Sequence, residues 1–240
     1  MSSSGALAGE VGVVTGGTRG IGRAVAATLL SLGATVVITG RSAASVESGV
    51  RELSGLGGAC DGVACDVTKL DSVEALGRHL RQKYGRVNIL VNNAGIGATS
   101  SLLHELSPEA WDGIFDTNVR GVFYTMRAIV PLMIAAGGGH VVNVSSLAGK
   151  NPLPRGAAYA ASKWALNGLS YSAAEELRAN DIRVSVVCPG SVDTGFSPHT
   201  GKEPDKMLRP EDIAHVVAML VTQRPRSFVS EVLIRPTQKP

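Results

Sequence analysis

Tyr159 and Lys163 stand four residues apart in the run Tyr-Ala-Ala-Ser-Lys, a spacing that puts both side chains on one face of a helix. A phenol titrates near pH ~10 in water, so proton transfer by Tyr159 near neutrality requires a nearby cation that favours the phenolate. Lys163 can supply that charge. Upstream, Val141-Val-Asn-Val-Ser145-Ser146 closes a β-branched run. A hydroxyl at the carboxyl edge of a strand faces the ligand crevice of an open α/β sheet, which lets Ser146 donate a hydrogen bond to the oxygen that Tyr159 protonates. Such a set suits the interconversion of a carbonyl and an alcohol. Taken alone, a tyrosine and a lysine at this spacing are an ordinary surface pair, so their meaning depends on the elements that hold them.

Those elements alternate. Val11 to Thr15, Thr35 to Thr39, Gly62 to Cys65, Val87 to Val91, His140 to Val144 and Arg183 to Val187 read as strands, with Phe228 to Ile234 as a final one and amphipathic segments between them. Several are apolar at consecutive positions, as expected of parallel strands covered by helices on both faces. Ser107-Pro108-Glu109 and Arg209-Pro210-Glu211-Asp212 open helices with a proline at the first position and acids in the first turn. The pattern predicts an α/β, Rossmann-type doubly wound parallel sheet of about seven strands. It also predicts one dinucleotide-binding and catalytic domain over residues 1–240, since no linker-like stretch divides the chain.

Directly after the first strand comes Thr15-Gly16-Gly17-Thr18-Arg19-Gly20-Ile21-Gly22, running into the apolar helix Ala24 to Leu32. Glycines allow a sharp turn and close approach of a pyrophosphate, and the helix start aims free N–H groups at it. In NAD-selective sites an acid ending the second strand bonds the ribose hydroxyls. Here Gly40 holds that place and Arg41 follows it. With no carboxylate to repel a 2′-phosphate, and with Arg19 and Arg41 offering planar forks of donors, NADP(H) is the expected cofactor.

The Thr-Gly-x-x-x-Gly-x-Gly spacing, the Ser146 and Tyr159 positions thirteen apart, and Tyr-x-x-x-Lys together resemble the single-domain branch of the short-chain dehydrogenase/reductase family across about residues 10 to 195. The resemblance implies Ser146, Tyr159, Lys163 and Asn118 as the catalytic set, Asn118 holding a water that links Lys163 to solvent. It implies that Gly16, Thr18, Arg19, Gly20, Ile21 and Gly22 cradle the phosphates. Asp66 and Val67 would meet adenine, Asn93, Ala94 and Gly95 would support the cleft, and Tyr159 and Lys163 would also reach the cofactor. In Cys188-Pro189-Gly190-Ser-Val192-Asp-Thr194, the turn of Pro189 and Gly190 would lie beneath the nicotinamide, with Val192 and Thr194 meeting its carboxamide or the pyrophosphate. Asp66 could equally cap the following helix. The resemblance further implies a homotetramer or homodimer built on helices near residues 108–136 and 156–179, where Ala161, Ala165 and Leu169 suit close packing.

The expected activity is therefore transfer of a hydride between NADP(H) and a ketone, an aldehyde or a secondary alcohol. Leu147, Leu153, Val192 and Phe196, with Ser146 and Tyr159, would wall the substrate site, pointing to an apolar carbonyl compound beneath a short loop, Ser191 to Leu208. Relatives resembling 3-oxoacyl-carrier-protein reductases finish the last strand with an Asp-Gly-Gly-type tail; this chain ends Arg-Pro-Thr-Gln-Lys-Pro, a departure that weakens that alternative. A catalytically silent NADP(H)-sensing protein and an epimerase or dehydratase that keeps its nucleotide are the other readings of the fold. The intact catalytic set weighs against the first, and the lack of a further C-terminal domain against the second.

Composition narrows the partners. A net charge of +3 arises from Lys and Arg scattered along 240 residues, without the cluster that a nucleic acid or an anionic membrane surface would require. Three cysteines, Cys60, Cys65 and Cys188, have no paired spacing, and the five histidines show no ligand pattern, so no metal is expected. With neither a leader-like start nor an apolar run of ~20 residues, a cytoplasmic location is expected.

Overall fold

A computed structural model describes residues 5–97, 101–196 and 203–240. Seven strands, β1 (Val11–Val14), β2 (Thr35–Gly40), β3 (Cys60–Ala64), β4 (Ile89–Asn92), β5 (Gly139–Val144), β6 (Ile182–Pro189) and β7 (Glu231–Ile234), form one sheet. Its order is β3-β2-β1-β4-β5-β6-β7, and each neighbouring pair is parallel. The chain winds outward from β1 in one direction and from β4 in the other, so a crevice opens between the carboxyl ends of these two strands.

The consecutive apolar residues of each strand serve two cores. Val14, Ile38, Val91, Val142 and Val144 face one layer, where they meet Val25 and Leu29 of α1 (Gly20–Ser31), Leu53 of α2 (Ala43–Leu53) and Ile213, Val217 and Leu220 of α7 (Pro210–Val221). Their chain neighbours Val13, Val37, Leu90 and Val141 face the other. There they pack on Val73, Leu76 and Leu80 of α3 (Leu70–Lys83), on Ile129 and Met133 of α5 (Gly121–Ala135), and on Leu166 and Ala174 of α6 (Ala157–Leu177). Each such side chain contributes about 1.5–3 kcal/mol by leaving water. A run that is apolar on both faces is stable only in this three-layer arrangement.

The structure moves several expected boundaries. Strand β3 starts at Cys60, two residues early, because the parallel ladder begins where Val36 meets Cys60. Strand β4 starts at Ile89, because Asn88 instead bonds Val11 through both its side chain and its N–H. The last strand covers only Glu231–Ile234, whereas Val229 and Ser230 dock on β6 through their carbonyls. The helix expected near 108–136 is broken into α4 (Pro108–Phe115), a π-turn at Asp116–Arg120 and α5.

Candidate active site

The turn after β1 is clamped to the end of β4. The Thr15 hydroxyl accepts hydrogen bonds from the N–H groups of Asn93 and Ala94, both at 3.0 Å. In return the Asn93 amide donates to the carbonyls of Thr15 and Gly16 at 3.0 and 3.1 Å. Gly16 takes the left-handed backbone, φ 62°, that this reversal requires. At Gly22 a methyl group would lie 2.3 Å from the Gly16 carbonyl oxygen and 2.4 Å from the Asn93 amide, so only glycine lets α1 start this close to the turn.

The first turn of α1 has no side-chain cap and no acidic residue. By contrast, Ser42 caps α2 and Ser107 caps α4. Uncapped N–H groups at a helix start that lines a cleft are suited to hold a phosphate anion. Thr194 sits within 3.4 Å of where a side chain on Gly20 would project, which brings the turn after β6 onto this helix start. Arg19 and Arg41 are exposed on the same cleft, and neither forms an ion pair among the described residues. The nearby Arg23 is held by Glu52 at 2.6 Å. This cradle of glycines, free N–H groups and unpaired guanidinium groups fits a phosphorylated dinucleotide. Asp66 is not the N-cap of α3: Lys69 precedes that helix, and the Asp66 carboxylate instead accepts from the N–H and hydroxyl of Thr68 at 3.0 and 2.8 Å. Its own short turn takes the side chain and its N–H donates to the Ser72 hydroxyl at 3.1 Å, while Asp66 and Val67 both line the cleft wall.

At the other end, β5 delivers Ser145 and Ser146 and α6 delivers Tyr159 and Lys163. Ser146 accepts from the Ala148 N–H at 3.1 Å, which fixes the hydroxyl at the start of a single helical turn. Burial pushes the Tyr159 phenol up to about 12, opposed by a hydrogen bond from Ser146. The Lys163 ammonium, 4% exposed, donates to the Val144 carbonyl at 3.0 Å and lies 5.8 Å from the Tyr159 ring centroid. Burial pushes it down to about 8. A protonated phenol beside an ammonium poised near neutrality can deliver a proton and have it replaced.

Asn118 lies in the π-turn, 1% exposed. Its side chain accepts from the Ile96 N–H at 2.9 Å and donates to the Ile96 carbonyl and the Ser162 hydroxyl, both at 3.1 Å. Ser162 in turn donates to the Tyr159 carbonyl at 2.7 Å. The π-turn is what aims this amide at α6; a regular helix would carry it round to another face.

One cleft along the carboxyl edge of the sheet unites these groups. It is lined by Gly16, Thr18, Arg19, Gly20, Ile21, Arg41, Asp66, Val67, Asn93, Ala94 and Gly95 at the nucleotide end. Ser146, Leu147, Leu153, Tyr159, Lys163, Pro189, Gly190, Val192, Thr194 and Phe196 line the other. Of the site residues expected from sequence, Gly22 and Asn118 alone stand behind the wall rather than on it. Residues 197–202 of the expected substrate loop lie outside the described residues. Sequence reasoning gave no role to Thr15, whose signal was its place at the head of the glycine motif, and read the tail after β7 only as a departure from relatives, without the place on the cleft wall that it takes.

A doubly wound sheet with this cleft defines a dinucleotide-binding fold. The chain belongs to the short-chain dehydrogenase/reductase family, whose short chain dehydrogenase model matches residues 10–205. It is similar to a 3-oxoacyl-[acyl-carrier-protein] reductase of Thermotoga maritima, 35% identical over 240 residues, covering 95% of this chain and 96% of that protein. A 3beta-hydroxysteroid dehydrogenase of Mediterraneibacter gnavus is 40% identical over 185 residues, 77% of this chain and 67% of that protein. The crystal structure of a metagenomic short-chain oxidoreductase in complex with NADP has a TM-score of 0.86 at 47% identity, covering 98% of this chain and 100% of that one. No helix among the described residues is long and apolar enough to cross a membrane.

Proposed function

We propose that this protein is an NADP(H)-dependent reductase of apolar ketones or aldehydes, able to run in the alcohol-oxidising direction. The observation that carries the proposal is the pairing, along one cleft, of Ser146 and the buried Tyr159 and Lys163 with an uncapped helix start flanked by Arg19 and Arg41. When bound, the nicotinamide supplies the hydride to the carbonyl carbon or accepts it from the alcohol. Ser146 donates a hydrogen bond to the substrate oxygen and Tyr159 gives it a proton, so charge does not accumulate on oxygen. Lys163 stabilises the resulting phenolate through its charge and would bond the ribose of a bound cofactor. Asn118, through Ser162, holds the turn of α6 that carries Tyr159, and anchors the water expected to return a proton to Lys163.

Arg19 and Arg41 would hold the 2′-phosphate, Asp66 and Val67 would border adenine, and Pro189, Gly190, Val192 and Thr194 would seat the carboxamide end. Leu147, Leu153 and Phe196 wall the substrate side; the Phe196 ring lies 6.2 Å from that of Tyr159. A 3-oxoacyl thioester is a second candidate substrate, favoured by the similarity to the Thermotoga reductase. The active form is proposed to be a cytoplasmic homotetramer or homodimer of single-domain subunits. Phe123 of α5 and Trp164 of α6, 49% and 53% exposed, offer the apolar faces for it. Rates with NADPH across apolar ketones, 3-oxoacyl thioesters and sugar phosphates test the substrate class, and preference for sugar phosphates would overturn it.

A further inference from the structure

The segment after β7 does not leave the molecule. The Ile234 carbonyl accepts the Gly190 N–H at 2.8 Å, and Pro236 then packs over the turn after β6. A side chain on Gly190 would meet Pro236 Cδ at 3.0 Å and Leu147 Cδ1 at 3.3 Å. Leu147 directly follows Ser146, so the tail enters the cleft at its catalytic end rather than its nucleotide end. Arg235 and Lys239 both line the cleft, and both are exposed. Neither forms an ion pair among the described residues. Of the carboxylates on this wall, Asp193 is held by Arg209 at 2.6 Å and Asp66 is engaged in its own turn. Arg235, next to the Pro236 that packs over Gly190 and Leu147, and Lys239 therefore add positive charge to the cleft lining; the two side-chain carboxylates of that lining are already engaged, and the carboxyl group of Pro240 lies on the same lining.

From this placement we propose that Arg235, supported by Lys239, forms an anion-binding rim of the substrate site, and that the preferred substrate is an apolar carbonyl compound carrying a carboxylate remote from its reacting carbonyl. The inference rests on the carbonyl reductase proposal and names the substrate class for that same site. A guanidinium at a cleft mouth with low-dielectric walls attracts an anion more strongly than it would on a flat surface, and salt weakens that attraction.

The test uses 4-acetylbenzoate and its methyl ester, which share a ketone and differ in one distal charge. Calorimetric Kd values on the NADP+-loaded protein are compared for wild type, Arg235→Ala, Arg235→Glu and Lys239→Ala, with kcat/KM in the presence of NADPH. Wild type is expected to favour the acid by tenfold or more, a difference of about 1.4 kcal/mol. Arg235→Ala brings the ratio near one, Arg235→Glu inverts it, Lys239→Ala lowers it less, and 0.5 M salt reduces it in wild type. A ratio unchanged by these substitutions, an equal loss for acid and ester, a loss of NADPH affinity instead, or no binding of either compound would each overturn the proposal. If the acid binds preferentially and neither ketone is turned over, the rim stands and the reductase proposal fails.

Discussion

Replacing Lys163 with methionine should abolish turnover and yet stabilise the free protein. The wild-type ammonium is 4% exposed, has one carbonyl partner, Val144, and is pushed by burial from 10.5 down to about 8. At pH 7 the folded protein keeps this amine charged at a cost set by the gap between the two values, about 3 kcal/mol at ~1.4 kcal/mol per unit. Methionine fills similar volume without charge. It forfeits the bond to Val144, worth about 1 kcal/mol, so the net gain is about 2 kcal/mol. For a chain of this size that raises Tm by roughly 4–8 °C. Because the folded value is the lower one, the penalty is full below about pH 8 and fades as pH rises toward 10.5. At pH 9.5 it is about 1 kcal/mol and the methionine gains nothing. Thermal unfolding of both proteins at pH 7 and pH 9.5, without cofactor, checks this. A variant less stable at pH 7, or a gain that persists at pH 9.5, would refute the claim that Lys163 is a desolvated charge.

The same ammonium predicts that kcat/KM for ketone reduction declines as pH rises above about 8, since Tyr159 stays protonated to about 12 and does not limit the profile; a rate flat to pH 10 would contradict it. His140 is buried, 2.7 Å from the Ser185 hydroxyl, and burial, aided by Arg183, pushes its imidazole down to about 3. Stability that is complete above pH 6.5 should be lost as pH falls, by about 2 kcal/mol at pH 5, and denaturant unfolding of His140→Leu should show a shallower loss over that interval. Gly22→Ala would place its methyl 2.3 Å from the Gly16 carbonyl, forcing the turn open; NADPH affinity measured by fluorescence should fall more than tenfold, and unchanged affinity would show that the turn can yield.

The layer architecture was legible in the sequence because Val13 and Val14, or Val141 and Val142, read as one apolar run and serve two cores. Glycine spacing, together with the Tyr159 and Lys163 pair, located both ends of the cleft, because a phosphate-binding turn and a one-face helix pair are local features. What depends on distant partners was not legible. Asp66 was open between a helix cap and a cleft wall until Thr68 was seen to take its carboxylate. The π-turn at Asp116–Arg120 has no local signature, since an extra residue in a helix is tolerated for the bonds that Asn118 makes to Ile96 and Ser162. The path of Arg235 and its neighbours into the cleft follows from Pro236 packing over Gly190, forty-odd residues apart, which no periodicity records.

The most direct test of the central claim is steady-state reduction of an apolar ketone with NADPH and NADH side by side, by wild type and Tyr159→Phe, with cofactor binding measured in both. The account predicts a strong NADPH preference in wild type and, in the variant, loss of turnover with NADPH affinity retained. Preference for NADH would contradict the roles of Arg19 and Arg41, and tight NADPH binding without turnover in wild type would contradict the assignment as a reductase.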